Sequence, residues 1–351
     1  MRIAQVAPLY ESVPPRLYGG TERVVSWLAD ELVQRGHEVT LFASGDSRTQ
    51  ARLVSAWPRA VRLDPAQPDP FALHTLELAQ AFSRADDFDV VHCHVDYLAF
   101  PYGRLVSTPV VHTLHGRLDL RPLIHVLTEL REVPLVSISE SQREPLAGLD
   151  LNWVATVHHG LPMRDVPAVT TASDGRYLVF LGRMSAEKRP DLAIAVAKRA
   201  GLPLIMAAKV DRPDREYFER EIRPQLGHPL IEWLGEQTDR QKAGLLADAA
   251  GLLVPISWEE PFGLVFIEAL ASGTPVISRP RGSVPELLRD GEHGFLVESE
   301  DEMVDACRNL DTIDRRACRD WALQRFSVER MTTDYLRVYR KIIDAARESA
   351  A

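Results

Sequence analysis

Short apolar runs alternate with amphipathic segments through both halves of the chain. In the first half the runs cover residues 2–7, 38–43, 90–92, 109–114 and 135–138, and in the second half they cover residues 177–181, 203–207, 231–234, 251–254 and 275–278. Runs of this length, separated by helix-sized segments, are typical of parallel strands whose sheet is covered by helices on both faces. The pattern therefore predicts two doubly wound α/β domains.

Two long helices and one domain boundary follow from the same pattern. The segment 22–35 predicts the first long helix, with Thr21 as its N-cap and Gly36 as its stop. An apolar stripe in 328–346 predicts a helix near the C-terminus. The stripe consists of Met331, Tyr335, Val338, Tyr339 and Ile342. Residues 161–174 are rich in Pro and small polar residues, which predicts the boundary between the domains.

Length and charge narrow the class of protein. At 351 residues the chain exceeds the size at which a single core stops growing, so two domains are the expectation. The formal net charge is -9 and no basic stripe is visible. A nucleic-acid binder needs such a stripe to displace counterions from phosphates, so we expect no nucleic-acid partner.

Cysteine usage and hydropathy bear on the compartment. Cys93, Cys307 and Cys318 lack metal or redox spacing, which indicates buried thiols in a reducing compartment. Neither a signal peptide nor a membrane span is predicted from the sequence. We therefore expect a soluble, cytoplasmic protein without a stable membrane anchor, and the sequence leaves its oligomeric state open.

Two glutamates flank a predicted helix start in the second half. Ligands of open α/β sheets bind outside the carboxyl ends of strands, and Glu260 lies in the loop after the run at 251–254. A helix that begins near Phe262 and Gly263 leaves its first N–H groups unpaired and adds positive dipole charge, so a diphosphate fits there. Glu268, one to two turns further on, can accept hydrogen bonds from a diol such as a ribose.

Other strand ends carry glycines and cations. Gly19 and Gly20 end the long loop after the first apolar run, where the backbone can approach a phosphate without a Cβ in the way. After the first run of the second half, Arg183 offers a planar fork for phosphate oxygens and Lys188 a point charge. Together the two cations suit a leaving diphosphate without a metal ion.

Histidines are concentrated at strand ends of the first half. They are His92, His94, His112, His115, His158 and His159. Because no carboxylate-rich set at ligand spacing accompanies them, we expect hydrogen-bonded histidines and no metal site.

Four segments together resemble the retaining glycosyltransferases of the GT-B fold, family 4 in particular. They are the E-x7-E pair Glu260 and Glu268, the G-R-x-x-x-x-K run at 182–188, the stretch 233–239, and the Thr-Leu-His-Gly run at 113–116. The resemblance covers nearly the whole chain.

The resemblance implies a domain layout. It implies two Rossmann-like doubly wound domains that face each other across a cleft. Residues 1–162 would bind the acceptor and residues 163–327 the donor. The helix in 328–351 would pack back on the first domain.

The resemblance also implies an activity and its residues. A sugar would move from a UDP- or GDP-sugar to a hydroxyl acceptor, with retention and without a metal ion or cofactor. Glu260 and His115 are the implied catalytic residues in a front-face reaction, in which the leaving phosphate accepts the acceptor's proton. The implied donor-binding residues are Gly20, Arg183, Lys188, Gln237, Gly263, Leu264, Val265 and Glu268.

The sequence indicates less about the acceptor than about the donor. Residues 1–162 contain 14 Arg, no Lys and 19 Asp plus Glu, which disfavours docking on an anionic membrane. We therefore expect a small-molecule, glycan or natural-product acceptor with a free hydroxyl, lined by the loop 10–18. Gln237 stands where the family usually carries an apolar residue, so the base of the donor stays open.

Three other interpretations remain at this point. A hydrolase would need Glu260 and Glu268 to flank one bond, whereas their spacing along a helix directs them to different parts of one ligand. A GT-B nucleotide-sugar epimerase would share the fold and needs no acceptor. A non-catalytic two-domain sugar-nucleotide sensor would keep the site and tolerate loss of Glu260. Donor turnover with and without acceptors separates these alternatives.

Overall fold

The computed structural model of the chain describes residues 1–166 and 177–350. These residues form two compact units. The first unit is Met1–Leu161 with the chain from Val328 onward, and the second is the described part of Pro162–Ser327. The boundary expected at 161–174 falls mostly on residues 167–176, which lie outside the described residues.

The first unit is built on a seven-stranded sheet. Its strands are β1 Arg2–Val6, β2 Glu38–Phe42, β3 Arg52–Val54, β4 Val90–Cys93, β5 Val110–Thr113, β6 Leu135–Ser137 and β7 Trp153–Thr156. They lie in the order β3-β2-β1-β4-β5-β6-β7, with every pairing parallel. The strand order reverses between β1 and β4, so the carboxyl ends of these two strands flank the crevice where such sheets bind ligands.

The second unit is also built on a single parallel sheet, which has six strands. They are β8 Leu178–Arg183, β9 Leu204–Lys209, β10 Ile231–Trp233, β11 Gly251–Val254, β12 Val276–Ser278 and β13 Gly294–Leu296. The order is β10-β9-β8-β11-β12-β13, again parallel throughout. Here the reversal lies between β8 and β11. The predicted class of two Rossmann-like α/β domains is confirmed.

Helices connect the strands and cover the sheets. In the first unit they are α1 Gly20–Gln34, α2 Pro70–Phe82, α3 Phe100–Gly103 and α4 Arg121–Glu129. In the second they are α5 Pro190–Ala200, α6 Arg215–Tyr217, α7 Asp239–Asp248, α8 Leu264–Ala271, α9 Val284–Leu287, α10 Glu300–Arg308 and α11 Arg315–Arg325. The last helix is α12 Val328–Ala350. Thr238 and Ser299 begin α7 and α10 with complete capping boxes, which pair the first N–H groups of each helix.

The last helix belongs to the first unit. Its predicted apolar stripe is buried, with Tyr335 and Tyr339 fully enclosed. The guanidinium of Arg35, at the end of α1, donates to the Thr333 hydroxyl at 2.8 Å and to the Glu329 carbonyl at 2.6 Å. Apolar packing and these hydrogen bonds fix α12 along α1.

All ten predicted strands form, but three further strands were not predicted. β3, β7 and β13 are edge strands of their sheets. Each has only three or four residues, and none is fully buried. A half-exposed edge strand does not need a continuous apolar run, so its sequence lacks the signal that marks central strands.

The predicted cap of α1 was wrong. The carbonyl of Gly19 accepts the N–H of Arg23 at 3.2 Å, so the helix begins earlier and Thr21 lies inside its first turn. The predicted stop is close to the observed end, because Gly36 has a left-handed φ of 82° directly after the C-cap Arg35. The three cysteines are buried free thiols, as expected.

Candidate active site

The loops after β8 and β11 meet at the switch point of the second sheet. Lys188 lies in the first loop and Glu260 in the second, and their side chains are only 12% and 9% exposed. The Lys188 ammonium donates to the Glu260 carboxylate. Removing two charges from water costs about as much free energy as their attraction returns in a pair this buried. The pair is therefore not explained by a contribution to folding stability alone. The fold thus places one cation and one anion where a ligand is expected.

Further contacts fix the Lys188 loop. The ammonium nitrogen lies 4.9 Å from the ring centroid of Trp258, a cation–π contact. The backbone N–H of Ser257 donates to the Glu187 carbonyl at 2.9 Å and joins the two loops. Arg189 then adopts a left-handed φ of 55°, which is uncommon for a residue with a side chain. The loop therefore holds Lys188 in a defined position before α5 begins.

A third loop braces Glu260 from behind. The N–H of Ser283 donates to the Glu260 carbonyl at 2.9 Å, and its hydroxyl donates to the Phe262 carbonyl at 2.8 Å. A Cβ on Gly282 would lie 2.3 Å from the Glu260 nitrogen and 2.4 Å from its carbonyl oxygen. Only glycine permits this approach, so Gly282 and Ser283 set where the Glu260 backbone runs.

The helix after Glu260 begins as expected. Gly263 is the N-cap of α8, with a left-handed φ of 81°. A Cβ there would lie 2.5 Å from the Phe266 ring and 3.1 Å from Glu260 Cγ. The N–H groups of Leu264 and Val265 belong to the first turn, where a helix offers no acceptor of its own. This end of α8 therefore presents donors and positive dipole charge beside the Lys188–Glu260 pair.

The second predicted cation is also paired. Arg183, the last residue of β8, donates to the Glu187 carboxylate, and its guanidinium lies 3.7 Å from the Asp214 carboxylate. Its side chain is 26% exposed. Arg183 and Lys188 therefore both carry carboxylate partners that an anionic ligand would have to replace.

Two donor-site predictions fall on α8 and on the loop before α7. Glu268 lies one turn into α8, and its carboxylate is 3.6 Å from the Lys242 ammonium. The Gln237 side chain turns back on its own loop and donates to the Leu234 carbonyl at 2.8 Å. Gly235 gives this loop a left-handed turn, with φ of 69°. The sequence provided Glu268 and Gln237 but not the cation Lys242.

Gly20 and His115 lie in the first unit. Gly20 is the exposed first residue of α1. The closer approach is at Gly19, where an added Cβ would lie 2.7 Å from the Cβ of Pro15. The two glycines thus differ: Gly19 is needed for packing of the loop, and Gly20 leaves open backbone at the start of the helix.

His115 lies just beyond the end of β5 and contacts two other histidines. Its Nε2 is 2.8 Å from Nδ1 of His94, and its ring stacks on His159 with centroids 5.3 Å apart. Burial of the ring lowers the pKa of His115 to about 3, so the imidazole is neutral near pH 7. Asp96, which follows His94 closely, has a left-handed φ of 48° and was not singled out from the sequence.

Among the described residues there is neither a metal-binding cluster nor a helix that could span a membrane. In residues 1–166 and 177–350, no group of three or more His, Cys, Asp or Glu side chains has an arrangement that could hold a metal ion. None of the helices in the described part of the chain combines the length and apolar composition that crossing a membrane requires.

Both halves of the chain match family models of glycosyltransferases. The family model "Glycosyl transferases group 1" matches residues 164–316, and "Glycosyltransferase Family 4" matches residues 18–140. The D-inositol 3-phosphate glycosyltransferase of Mycolicibacterium smegmatis is 27% identical over 81% of this chain and 76% of its own length.

Solved structures agree with the fold. Sucrose-phosphate synthase from Thermosynechococcus elongatus superimposes with a TM-score of 0.80 at 18% identity, covering 98% of this chain and 99% of its own. Anabaena HepE, in complex with UDP and glucose, gives a TM-score of 0.76 at 16% identity, covering 97% and 100%.

Two parallel sheets of this topology, with these matches, define a glycosyltransferase of the GT-B fold. More specifically, the chain belongs to the family 4 type of these enzymes. It is therefore an enzyme that transfers a sugar.

Proposed function

We propose that the enzyme moves a sugar from a nucleoside diphosphate sugar to a hydroxyl acceptor, with retention of anomeric configuration and without a metal ion. The observation that carries this proposal is the arrangement in the second unit. The pair formed by Lys188 and Glu260 lies beside the N-terminus of α8, at the switch point of the sheet.

The diphosphate would bind to the backbone and the cations. The first N–H groups of α8, from Gly263 to Val265, can donate to phosphate oxygens. Lys188 is paired with one carboxylate, which carries a single charge. A diphosphate carries more charge and more acceptor atoms, so it competes for the ammonium and for Arg183. Glu260 is then released toward the sugar attached to that phosphate.

The same groups would stabilise the transition state. As the bond between sugar and phosphate breaks, negative charge grows on the phosphate and positive charge on the anomeric carbon. Lys188, Arg183 and the α8 amides offset the first charge, and Glu260 offsets the second. Groups already fixed in a low-dielectric site do this without reorganisation, which makes their effect large.

Retention follows from a front-face path. The acceptor hydroxyl would approach from the same side that the phosphate leaves, and the leaving phosphate oxygen would take its proton. Glu260 then needs only to hold a sugar hydroxyl and balance charge, so no paired carboxylate nucleophile is required. We propose His115 as a further residue that binds a substrate hydroxyl.

The rest of the donor would occupy the neighbouring loops. Glu268 can accept hydrogen bonds from both hydroxyls of a ribose, and its carboxylate lies 3.6 Å from the Lys242 ammonium. Because the Gln237 side chain is bound to its own loop, we expect that loop to hold the base through backbone groups. The HepE complex with UDP and glucose supports a uracil nucleotide as the first donor to test.

The relatives support a polyol acceptor. D-inositol 3-phosphate, which the mycobacterial relatives are named for, is a carbon ring that carries hydroxyl groups and one phosphate. We infer a hydroxyl of a small molecule, a glycan or a natural product as the acceptor here. The family matches name transferases, so they do not favour the epimerase or the sensor.

One experiment tests the proposal directly. UDP- and GDP-sugars are incubated with the protein, with and without polyol and glycan acceptors, and nucleotide release and glycoside product are measured. Glu260→Gln should lower turnover about a hundredfold, the scale for losing one preorganised charge, while UDP or GDP still binds. The matched control is Glu259→Gln, because this exposed neighbour accepts an N–H from Gly282 and an amide can do the same. Equal turnover in the two variants would contradict the assigned role of Glu260.

A further inference from the structure

A chain of hydrogen bonds crosses the switch point of the first sheet. Gln5 on β1 donates from Nε2 to the Tyr339 hydroxyl at 2.9 Å. Its Oε1 lies 2.8 Å from Nε2 of His94, which follows β4. His94 Nδ1 then lies 2.8 Å from Nε2 of His115. Gln5, Tyr339 and His94 are at most 2% exposed, so water does not compete for these bonds.

The direction of this chain fixes where the protons are. Gln5 Oε1 is an acceptor only, so the nitrogen that faces it, His94 Nε2, carries the hydrogen. A neutral imidazole has one N–H, which makes His94 Nδ1 the acceptor. The hydrogen between the two rings therefore belongs to His115 Nε2. His115 Nδ1 is left without a hydrogen, as a lone pair.

Both rings stay neutral, as this assignment requires. Burial lowers the pKa of His94 well below its ordinary value, and the neighbouring rings lower it further. A second arm of the network is compatible with the same direction. Tyr339 donates to His92 Nδ1 at 2.7 Å, and His92 Nε2 donates to the Thr113 hydroxyl at 2.7 Å.

One position in this network remains unfilled. Within residues 1–166 and 177–350, no group forms a hydrogen bond with His115 Nδ1. Buried polar atoms nearly always have a partner, so a lone pair left open at a strand end indicates a ligand donor.

We propose that Gln5 and His94 are positioning residues that hold His115 in its Nε2–H tautomer, so that its bare Nδ1 accepts a hydrogen bond from a ligand hydroxyl. The proposal rests on the proposed function, in which His115 binds a substrate hydroxyl. Gln5 and His94 touch no substrate and act through the ring of His115 alone. Gln5 lies on β1 and His94 directly follows β4, and these two strands flank the switch point.

The expected effect on turnover is intermediate. Where a histidine moves a proton, a wrong tautomer costs about 10⁴ in rate. Here the ring only orients a hydroxyl, so we expect a loss of about ten- to a hundredfold. The loss should vanish when His115 itself is absent, because Gln5 has no other route to the reaction.

The tautomer can be read without any activity assay. Two-bond ¹H–¹⁵N correlation spectra of the full chain, labelled in histidine, distinguish protonated from bare ring nitrogens, and His115→Asn assigns the signals. We expect His115 as the Nε2–H form in the parent and a mixture of tautomers in Gln5→Leu. Thr113→Val is the matched control, because it removes a buried hydroxyl from the other arm and should leave the His115 tautomer unchanged. An Nδ1–H form in the parent, or an unchanged tautomer in Gln5→Leu, would overturn the proposal.

Kinetics then test the link to the sugar. Gln5→Leu should lower kcat/KM about ten- to a hundredfold, with the Kd of UDP or GDP unchanged, and Thr113→Val should stay within about twofold. Gln5→Leu added to His115→Asn should cost nothing further. If the loss of kcat/KM in the double variant equals the product of the two single losses, Gln5 acts by a route other than His115 and the proposal is overturned. If His115→Asn keeps full activity while the spectra match, the role of His115 in the proposed function fails and the tautomer assignment stands.

Discussion

Substituting Gly282 tests how finely the position of Glu260 is set. An alanine Cβ at Gly282 would lie 2.3 Å from the Glu260 nitrogen and 2.4 Å from its carbonyl oxygen. Ordinary contact requires about 3.5 Å, so the two backbones have to separate by about 1 Å. Both atoms belong to main chain, which cannot rotate away as a flexible side chain can. Glu260 and the start of α8 are therefore displaced together.

The cost can be estimated from this displacement. A shift of about 1 Å in a reacting geometry costs on the order of a hundredfold in rate. The left-handed φ of 58° at Gly282 adds about 1–2 kcal/mol of strain for any residue with a Cβ. Gly291→Ala is the matched control, because its φ is 74° and nothing lies within 4 Å of its added Cβ. The left-handed φ should cost both variants similar stability, and the backbone clash adds to that cost in Gly282→Ala. Per folded molecule, only Gly282→Ala should lose turnover, by about a hundredfold.

The assay compares kcat, the Kd of the nucleotide and thermal unfolding in the two variants. Rates are expressed per folded molecule, so that lost stability is not counted as lost catalysis. Similar kcat in Gly282→Ala and Gly291→Ala would refute the reasoning that the Gly282 contact positions Glu260.

Three more predictions concern charge. Lys188→Ala should weaken nucleotide binding and also lower kcat, because the contact between Lys188 and the phosphate strengthens as negative charge develops there. The control Lys198→Ala on α5 should change neither quantity, and nucleotide titration and initial rates measure both. Glu268→Gln should chiefly raise the donor KM and spare kcat, and a large fall in kcat at saturating donor would contradict its role at the ribose. Burial raises the pKa of Glu77 well above its ordinary value near 4.5, and among residues 1–166 and 177–350 neither carboxyl oxygen has a hydrogen-bond partner. As pH rises above about 4.5 the unfolded state ionises first, so folding loses about 1.4 kcal/mol per pH unit up to the folded pKa. Glu77→Gln should therefore stabilise the protein more at pH 8 than at pH 5, as measured by denaturant unfolding. If the difference in unfolding free energy between variant and parent is the same at both pH values, Glu77 is ionised in the fold and the reasoning is wrong.

The fold was largely readable from the sequence because its central strands are buried on both faces. Continuous apolar runs such as Gly251–Val254 mark such strands without reference to the rest of the chain. The edge strands β3, β7 and β13 lack this signal. The N-cap of α1 was not predicted because Gly19 has no side chain that could form the hydrogen bond by which caps are identified in a sequence.

The sequence predicted the candidate site only where the residues belong to one continuous segment. Glu260, Gly263 and Glu268 follow from a single strand–loop–helix pattern. Contacts between distant segments did not follow, such as Lys188 with Glu260 or Gly282 behind Glu260, because they depend on how strands are ordered in the sheet.

The histidines show the same limit. The sequence indicated hydrogen-bonded rings at strand ends, and the structure pairs His94 with His115 and His92 with Thr113. The direction of those bonds depends on Gln5 and Tyr339, which are 334 residues apart in the chain. No local pattern could reveal it.

The proposed reaction is retaining, metal-independent transfer from a nucleoside diphosphate sugar. Proton NMR of the reaction, followed from the first turnovers in excess EDTA, reads the linkage of the new glycoside before any later exchange. With an α-linked UDP- or GDP-sugar and an accepted hydroxyl compound, we predict an α-linked product at a rate within about twofold of that without chelator, since chelation removes no group that the reaction uses. A β-linked product would contradict retention, and a rate abolished by EDTA and restored by a divalent ion would contradict metal independence.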